Sequence, residues 1–118
     1  MTETTIFRLT LGDSPVIRVL EFLIEGRGLD YSLTDIAENS NVGWTTLHRI
    51  WNNLEKTKMV VPTRIIGKAK LYKLNEKNPA VQQLIKLFDT LIYLQTEKFF
   101  EKQTIVAESS VKYGKRKR

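Results

Sequence analysis

The sequence contains no cysteine and only one histidine among its 118 residues. Without cysteine it can form neither a disulfide nor a thiolate metal site, so zinc-finger folds are excluded. No stretch approaches the roughly 20 apolar residues that a membrane span requires. The chain also does not begin with a basic segment followed by an apolar run. We therefore expect one soluble, cytoplasmic domain with short appendages, because a chain of this length supports one modest core.

Residues suited to catalysis are also scarce. His48 is the only histidine, and the acidic residues form no pair at the spacing of a metal or glycosidase site. No nucleophile with an adjacent base can be named. Gly67-Lys68 is reminiscent of a phosphate-binding loop, but Ala69 follows where Ser or Thr should bind magnesium. The sequence thus favours a protein that is not an enzyme, with no cofactor and no metal.

The net charge of +6 is concentrated in two segments. Residues 41–77 carry eight basic and two acidic side chains, and residues 112–118 carry five basic side chains. Residues 1–40 have instead a net charge of −4, and residues 78–111 a net charge of −1. This segregation favours a polyanionic partner bound with counterion release, whereas solubility alone would not specify where the charge lies.

Two helix start signals precede the basic region. Ser14-Pro15 combines a capping side chain with a proline in the first turn, and the glycines from Gly26 end that helix. Ser32 followed by Asp35 predicts a second, short helix. Apolar side chains alternate between residues 4 and 11, which predicts a strand or an extended arm within residues 1–12.

A longer helix is predicted directly after the turn Asn41-Val42-Gly43. Leu47, Ile50, Trp51 and Leu54 recur at i, i+3, i+4 and i+7, so one stripe of this helix faces a core. A short helix, a tight turn and a longer helix form a helix-turn-helix. The outer stripe carries side chains that can contact base edges and phosphates, although a solvated polar face is the alternative interpretation. Its members are Trp44, Thr45, His48, Arg49 and Asn52.

A basic β-hairpin follows this helix. The runs Val60–Ile66 and Lys70–Leu74 are rich in strand-forming residues and flank Gly67. Pro62 cannot donate to a ladder, so its strand is predicted at the sheet edge. Lys68 and Lys70 lie at the predicted tip, where a wing reaches a phosphate or the minor groove.

The run from Thr46 to Val60 resembles the winged helix-turn-helix regulators of the MarR and ArsR kind and their short archaeal relatives. The similarity extends from about Pro15 to Leu74. It implies a mainly α fold with a small β-hairpin wing and a sequence-selective, dimeric double-stranded DNA-binding protein. By this resemblance Thr45, Thr46, His48 and Arg49 match the DNA-reading positions, and Lys68 and Lys70 match the wing. We add Trp44, Asn52 and Arg64 as candidate DNA contacts.

Two positions depart from the family pattern. Gly43 stands at the helix start where the family has Ser or Thr, so a side-chain cap is missing. Lys58 replaces the glycine after the helix, which requires either a different C-terminal turn or a lysine at positive φ. Trp44 has two possible roles at the helix start, contact with thymine methyls or sugars and packing against the preceding helix.

A long helix is predicted from Asn78-Pro79 to about Phe100, since no glycine or proline interrupts it. Its apolar residues exceed what one small domain covers, so we expect it to pair with its copy in a homodimer. Packing entirely on its own domain is the alternative. The predicted dimerisation residues are Leu84, Leu87, Phe88, Leu91, Ile92, Leu94 and Phe99.

The expected domain organisation has four parts. They are an N-terminal strand or arm at residues 1–12, a winged helix-turn-helix domain at 13–76, a dimerisation helix at 77–104 and a disordered basic tail at 105–118. The tail composition fits phosphate contact, nuclear import or solubility equally. The predicted function is transcriptional regulation, as a repressor or autoregulator, on the nucleoid. A DNA-coating protein and a winged-helix module for protein contact are the alternatives, and any small-molecule effector is unknown.

Overall fold

The computed structural model describes residues 4–96, which form five helices and a three-stranded antiparallel sheet. This architecture confirms the predicted winged helix-turn-helix fold. No helix within residues 4–96 has the length and hydropathy needed to cross a bilayer. The elements in chain order are α1 (Ile6–Leu11), α2 (Pro15–Glu25), β1 (Tyr31–Ser32), α3 (Leu33–Ser40), α4 (Trp44–Lys56), β2 (Val60–Ile66), β3 (Ala69–Leu74) and α5 (Pro79–Leu94).

The N-terminal segment is a helix, so the predicted strand or arm is wrong for the part of it that the structure describes. Thr5 caps α1, since its Oγ1 accepts from the Arg8 backbone N–H at 3.2 Å. Phe7 is completely buried, and its ring meets the ring of Phe88 on α5 edge-on at 5.3 Å between centroids. Packing against α5 stabilises this short helix, whereas apolar alternation within the segment could not reveal a partner so distant in sequence.

Both predicted capping signals are confirmed. Ser14 Oγ accepts from the Ile17 N–H at the start of α2, and Ser32 Oγ accepts from the Asp35 N–H at the start of α3. At the end of α3, Asn41 adopts a left-handed conformation with φ 56°. The Val42 N–H then donates to the Ala37 carbonyl, and the Val42 side chain is buried. This turn directs the chain into α4.

The sheet has the order β1-β3-β2. As predicted, β2 with Pro62 is an edge strand, and the register shifts between Pro62 and Arg64. Gly67 has φ 62° at the first position of a two-residue turn, which closes the hairpin where Ile66 pairs with Ala69. Sequence analysis missed β1, whose two residues pair with Tyr72 and Leu71. Two residues are too few to show a strand period.

The core lies between the helices and the inner surface of the hairpin. Helix α5 contributes Val81, Phe88 and Leu91 to it, all with at most 7% of their surface exposed. Helix α5 ends at Leu94, earlier than the predicted end near Phe100. The Gln95 and Thr96 N–H groups donate to Ile92 and Tyr93, three residues back, so the last turn tightens without any breaking residue. Phe99, the remainder of the predicted dimerisation helix and the basic tail lie outside the described residues.

Candidate nucleic-acid interface

Helix α4 separates its residues into an apolar face and a polar face as predicted. Leu47, Trp51 and Leu54 are buried with at most 7% exposure. Of the outer residues, Thr46 is half-buried and the others are exposed. The candidate reading face of α4 therefore comprises Trp44, Thr45, Thr46, His48, Arg49 and Asn52.

The start of α4 is held by residues outside the helix. Gly43 is the N-cap and makes no side-chain capping bond, so α4 begins without a side-chain cap, as the sequence predicted. The preceding turn is fixed instead by Arg18 of α2, whose guanidinium donates to the Asn41 carbonyl at 2.8 Å. The Arg18 Nε in turn lies 2.8 Å from Asp13 Oδ1. This chain of contacts orients the reading face relative to α2.

Trp44 connects the reading face to the hairpin. Its ring is 51% exposed and meets the His48 ring edge-on at 4.5 Å between centroids. It also lines an open groove of about 230 Å³ between the start of α3, the start of α4 and the hairpin. Trp44 thus lies at the groove between the reading face and the hairpin and presents half of its surface to solvent. The residues of this wing groove are Ser32, Leu33, Thr34, Trp44, Lys68, Ala69, Lys70 and Tyr72.

The hairpin tip presents two ammonium groups beside that groove. Lys68 and Lys70 are exposed, and the Lys70 Nζ lies 5.7 Å from the centroid of the Tyr72 ring. Ile65 and Ile66 on the outer strand are also exposed, at 68% and 54%. The tip therefore combines cationic groups for phosphates with apolar side chains. Thr34, at the α3 end of the groove, was missed in the sequence because nothing in the α3 pattern indicates proximity to the hairpin.

Arg64, a predicted DNA contact, has a carboxylate partner in the protein. Its Nε and Nη2 donate to the two oxygens of Asp30 at 2.8 and 3.1 Å, a bidentate arrangement. Thr63 Oγ1 donates to Asp30 Oδ2 at 2.6 Å. The Arg64 guanidinium, followed by the Thr63 hydroxyl, lowers the pKa of Asp30 to about 2. Asp30 therefore stays ionised near neutral pH, and a phosphate at Arg64 would share the guanidinium with it.

The end of α4 is joined directly to the start of α5. Lys58 has φ 63°, the strained alternative that the sequence left open. Its carbonyl accepts from the side-chain amides of Asn75 and Asn78 at 2.9 and 3.0 Å. The Asn78 Oδ1 also accepts from the Ala80 N–H at 2.8 Å, so the same side chain caps α5. One asparagine thereby connects the two longest helices.

The structure separates the described members of the predicted dimerisation set into three groups by exposure. Phe88 and Leu91 are buried within the subunit, so their prediction as direct dimer contacts is wrong, because α1 and the core already cover this face of α5. Leu84 and Leu94 are partly buried. Leu87 and Ile92 remain exposed at 39% and 44%. These two are the most exposed members of the set among the described residues.

The described part of the chain contains no candidate metal site. Within residues 4–96, no group of three or more His, Asp or Glu side chains is arranged to hold a metal ion. Polar groups from the start of α4 and from the hairpin tip lie at one groove. Their combination of hydrogen-bond donors and positive charge suits a polyanion that displays donor and acceptor edges.

No model of a known protein family matches the sequence, and no curated protein matches it. Solved structures resemble it. A variant of MepR from Staphylococcus aureus, bound to an oligodeoxyribonucleotide, is 18% identical with a TM-score of 0.54, over 85% of this chain and 78% of that one.

Two MarR family transcriptional regulators from Silicibacter pomeroyi are also similar. One is 14% identical with a TM-score of 0.52, over 94% of this chain and 79% of the other. The second is 16% identical with a TM-score of 0.50, over 82% of this chain and 74% of the other. At such identities the likeness concerns the fold, and the chain has a MarR-like winged helix-turn-helix fold.

Proposed function

We propose that this protein binds double-stranded DNA with sequence preference and acts as a transcriptional regulator. The observation that carries the proposal is that Trp44, at the start of the reading face of α4, lines one groove together with Lys68 and Lys70 of the hairpin. A helix that presents donors near its N-terminus suits the major groove, and a cationic wing suits the adjacent phosphates. The similar MepR variant was solved with an oligodeoxyribonucleotide, which supports the same partner here.

The proposed roles follow from exposure and chemistry. Arg49 can donate two parallel bonds to a guanine, and Asn52 can pair with an adenine. Thr45, Thr46 and His48 supply further donors or acceptors near the helix start. Lys68 and Lys70 neutralise phosphates without reading sequence, since an ammonium is a point charge. Arg64 can contribute a phosphate contact while it keeps its hydrogen bonds to Asp30, so the two anions share one guanidinium.

The first test is selection of the purified chain on a random duplex library with bulk competitor DNA, at two salt concentrations. The proposal expects an enriched motif and retention that falls as salt rises, because phosphate contacts release counterions. Salt-sensitive retention without a motif would favour a DNA-coating protein. A complete lack of retention would overturn DNA binding and assign the winged domain to protein recognition.

Two variants separate base reading from phosphate contact. Arg49→Ala should weaken the selected site by about 1–3 kcal/mol and relax the preference at one position, as expected for loss of a bidentate base contact. Lys68→Ala should weaken binding to all sequences similarly. It should also reduce the slope of log affinity against log salt concentration by about 1, as expected for the loss of one phosphate contact. Lys86→Ala on exposed α5 is the charge-matched control and should change neither quantity. Equal affinity of wild type and Arg49→Ala for the selected site would remove Arg49 from the reading face.

We further propose that two subunits pair through the exposed side of α5, which would hold two reading helices for half-sites about one DNA turn apart. Leu87 and Ile92 are large apolar groups at the surface, and Leu9 on the adjacent α1 is 73% exposed. Leu87→Glu should convert dimers to monomers in sedimentation without unfolding the chain. Gln82→Glu, an exposed position on the same helix, is the control. A wild-type mass equal to one subunit would contradict this pairing.

Occlusion of a promoter by such a dimer would make the protein a repressor or autoregulator. The motif from the selection identifies candidate target sites, and transcription from those sites with and without the protein distinguishes repression from activation. Binding of chromosomal DNA would place the protein on the nucleoid.

A further inference from the structure

A polar cavity lies between α1, α2 and the turn that joins α3 to α4. Its volume is about 430 Å³, within the range of small-molecule sites. None of its lining residues belongs to α4 or to the hairpin, so it is separate from the candidate nucleic-acid interface. The cavity is lined by Thr4, Thr5, Arg8, Asp13, Arg18, Glu21, Phe22, Glu25, Asn39, Ser40 and Asn41.

Both arginines of this cavity already have partners. Arg8 Nε lies 2.8 Å from Glu21 Oε1, and Arg8 Nη1 lies 3.5 Å from Asp13 Oδ1. Arg18 binds the same Asp13 oxygen at 2.8 Å and donates to the Asn41 carbonyl. The hydrogen bond from Arg18 most of all, together with the charges of Arg18 and Arg8, lowers the pKa of Asp13. The guanidinium groups are therefore engaged within the protein and offer little to an anion.

The acceptors of the cavity are not all satisfied. Glu21 is only 6% exposed, and its second oxygen, Oε2, has no hydrogen-bond partner among the described residues. Ser40 is 5% exposed, and its hydroxyl likewise has no partner there. A buried polar group without a partner is costly, and a carboxylate oxygen more so than a neutral group. Two such groups lining one cavity indicate a missing donor.

The charge of the cavity has the sign that attracts such a donor. Glu25 is the third carboxylate of the lining, facing only two guanidinium groups. Burial most of all, and then the negative charge of Glu21, raises the pKa of Glu25, while the positive charge of Arg8 lowers it. A ligand with a positive charge and several N–H groups would relieve the excess and satisfy Glu21 Oε2 together.

We propose that this cavity is a binding site for a small organic cation carrying an ammonium or guanidinium group. The cation donates to Glu21 Oε2, with Ser40 Oγ and Glu25 as further acceptors. Charge-assisted hydrogen bonds of this kind are roughly twice as strong as neutral ones. The ligand also contacts Ser40 and Asn41, the end of α3 and the turn that precedes α4.

The test is a titration of the full ¹⁵N-labelled chain with ethylammonium chloride and, separately, with ethylguanidinium chloride. The backbone amide chemical shifts are measured by NMR at each step. Ethanol serves as the neutral analogue, and sodium chloride as the ionic-strength control. The proposal expects saturable shifts at the backbone amides of Thr5, Ser40 and Asn41 with at least one cation. DNA is absent from this experiment, so its result is independent of the proposed function.

Glu21→Gln keeps the shape of the side chain and an acceptor for Arg8 while removing the charge, and it should weaken the cation about tenfold or more. Glu25→Gln and Ser40→Ala should each weaken it less, and they keep the test decisive if Glu21→Gln does not fold. Glu76→Gln, an exposed carboxylate outside the cavity, is the matched control and should bind as wild type does.

Three results would overturn the proposal. Shifts that rise linearly without saturation, or that sodium chloride reproduces, would reduce the effect to ionic strength. Equal shifts with ethanol would show that the positive charge is not recognised. Equal weakening by Glu76→Gln and by the cavity variants would place binding elsewhere on the surface.

Discussion

Helices α4 and α5 bury similar apolar faces and differ in what they expose. The inner face of α4 holds Leu47, Trp51 and Leu54, and that of α5 holds Val81, Phe88 and Leu91. Outward, α4 presents donors and a guanidinium, whereas α5 keeps apolar side chains at 39% and 44% exposure, Leu87 and Ile92. The outward face, and not the core face, therefore indicates the kind of partner that each helix is suited to.

The two outer faces differ in how they can contribute to the free energy of binding a partner. A charged and polar face gains by releasing counterions from a polyanion, which makes binding depend on salt. An apolar face gains by removing its surface from water, which depends little on salt. The two helices are joined at Lys58 and Asn78, so variants at the faces and at this junction test the comparison.

The largest expected effect separates the two faces of α5. Phe88→Ala should lower the free energy of unfolding by about 3–5 kcal/mol, because it removes a buried ring that packs on Phe7. Leu87→Ala, one position earlier and exposed, should change it by no more than about 0.5 kcal/mol. Urea denaturation of both variants at a protein concentration where sedimentation shows each to be monomeric measures the difference, because dimer contacts then do not contribute. Equal losses would mean that Leu87 also belongs to the core.

The junction between the helices should have a smaller effect. Asn78→Ala removes the cap of α5 and the amide that satisfies the carbonyls of Thr57 and Lys58. We expect a loss of about 1–2 kcal/mol in unfolding free energy, near the upper range for a single cap. Asn53→Ala, on the exposed side of α4, is the control and should leave stability unchanged or slightly raised. A neutral Asn78→Ala would mean that the two helices are not coupled through this side chain.

The same junction can also be stabilised. Lys58 adopts a left-handed conformation that glycine accepts without a steric penalty, so Lys58→Gly should raise the unfolding free energy by about 1 kcal/mol. Lys58→Ala removes the same charge and keeps the β-carbon, so it controls for electrostatics and should not stabilise. Thermal unfolding of both variants distinguishes backbone strain from charge. A gain shared by both would assign the effect to charge.

The smallest effect concerns the start of α4. Gly43→Ser supplies the missing capping hydroxyl, and no atom lies within 4 Å of the added β-carbon. Stability should rise by only a few tenths of a kcal/mol, because glycine is already an acceptable N-cap. Gly43→Ala lacks the hydroxyl and should not stabilise. A larger gain with Ser would indicate that the present start of α4 is held at a cost by the Arg18 contact.

Local features of the sequence predicted much of this fold. Sequence patterns alone predict the caps at Ser14 and Ser32, the apolar stripe of α4 and the hairpin around Gly67, and the structure has all of them. Each depends on residues a few positions apart, whose hydrogen bonds and shared faces are fixed by helix or strand geometry. The candidate reading face was predicted from the same period, and its exposure follows from burial of the opposite stripe.

Features that join distant residues were not predicted. The N-terminal helix depends on Phe7 meeting Phe88, and the position of Arg64 depends on Asp30. The early end of α5 has no glycine or proline to indicate it. Phe88 and Leu91 were assigned to a dimer because the sequence does not show how much surface the rest of the subunit covers.

The sequence by itself determined where α2 to α5 and the hairpin begin, which stripe of α4 is apolar and where the positive charge is concentrated, because these depend on neighbouring residues and on composition. Only the tertiary structure decided which apolar faces are already covered, which arginines are paired and that Glu21 and Ser40 line one cavity. Those properties arise from contacts between residues far apart in the chain, and a contact of that kind exists only once the whole core has packed.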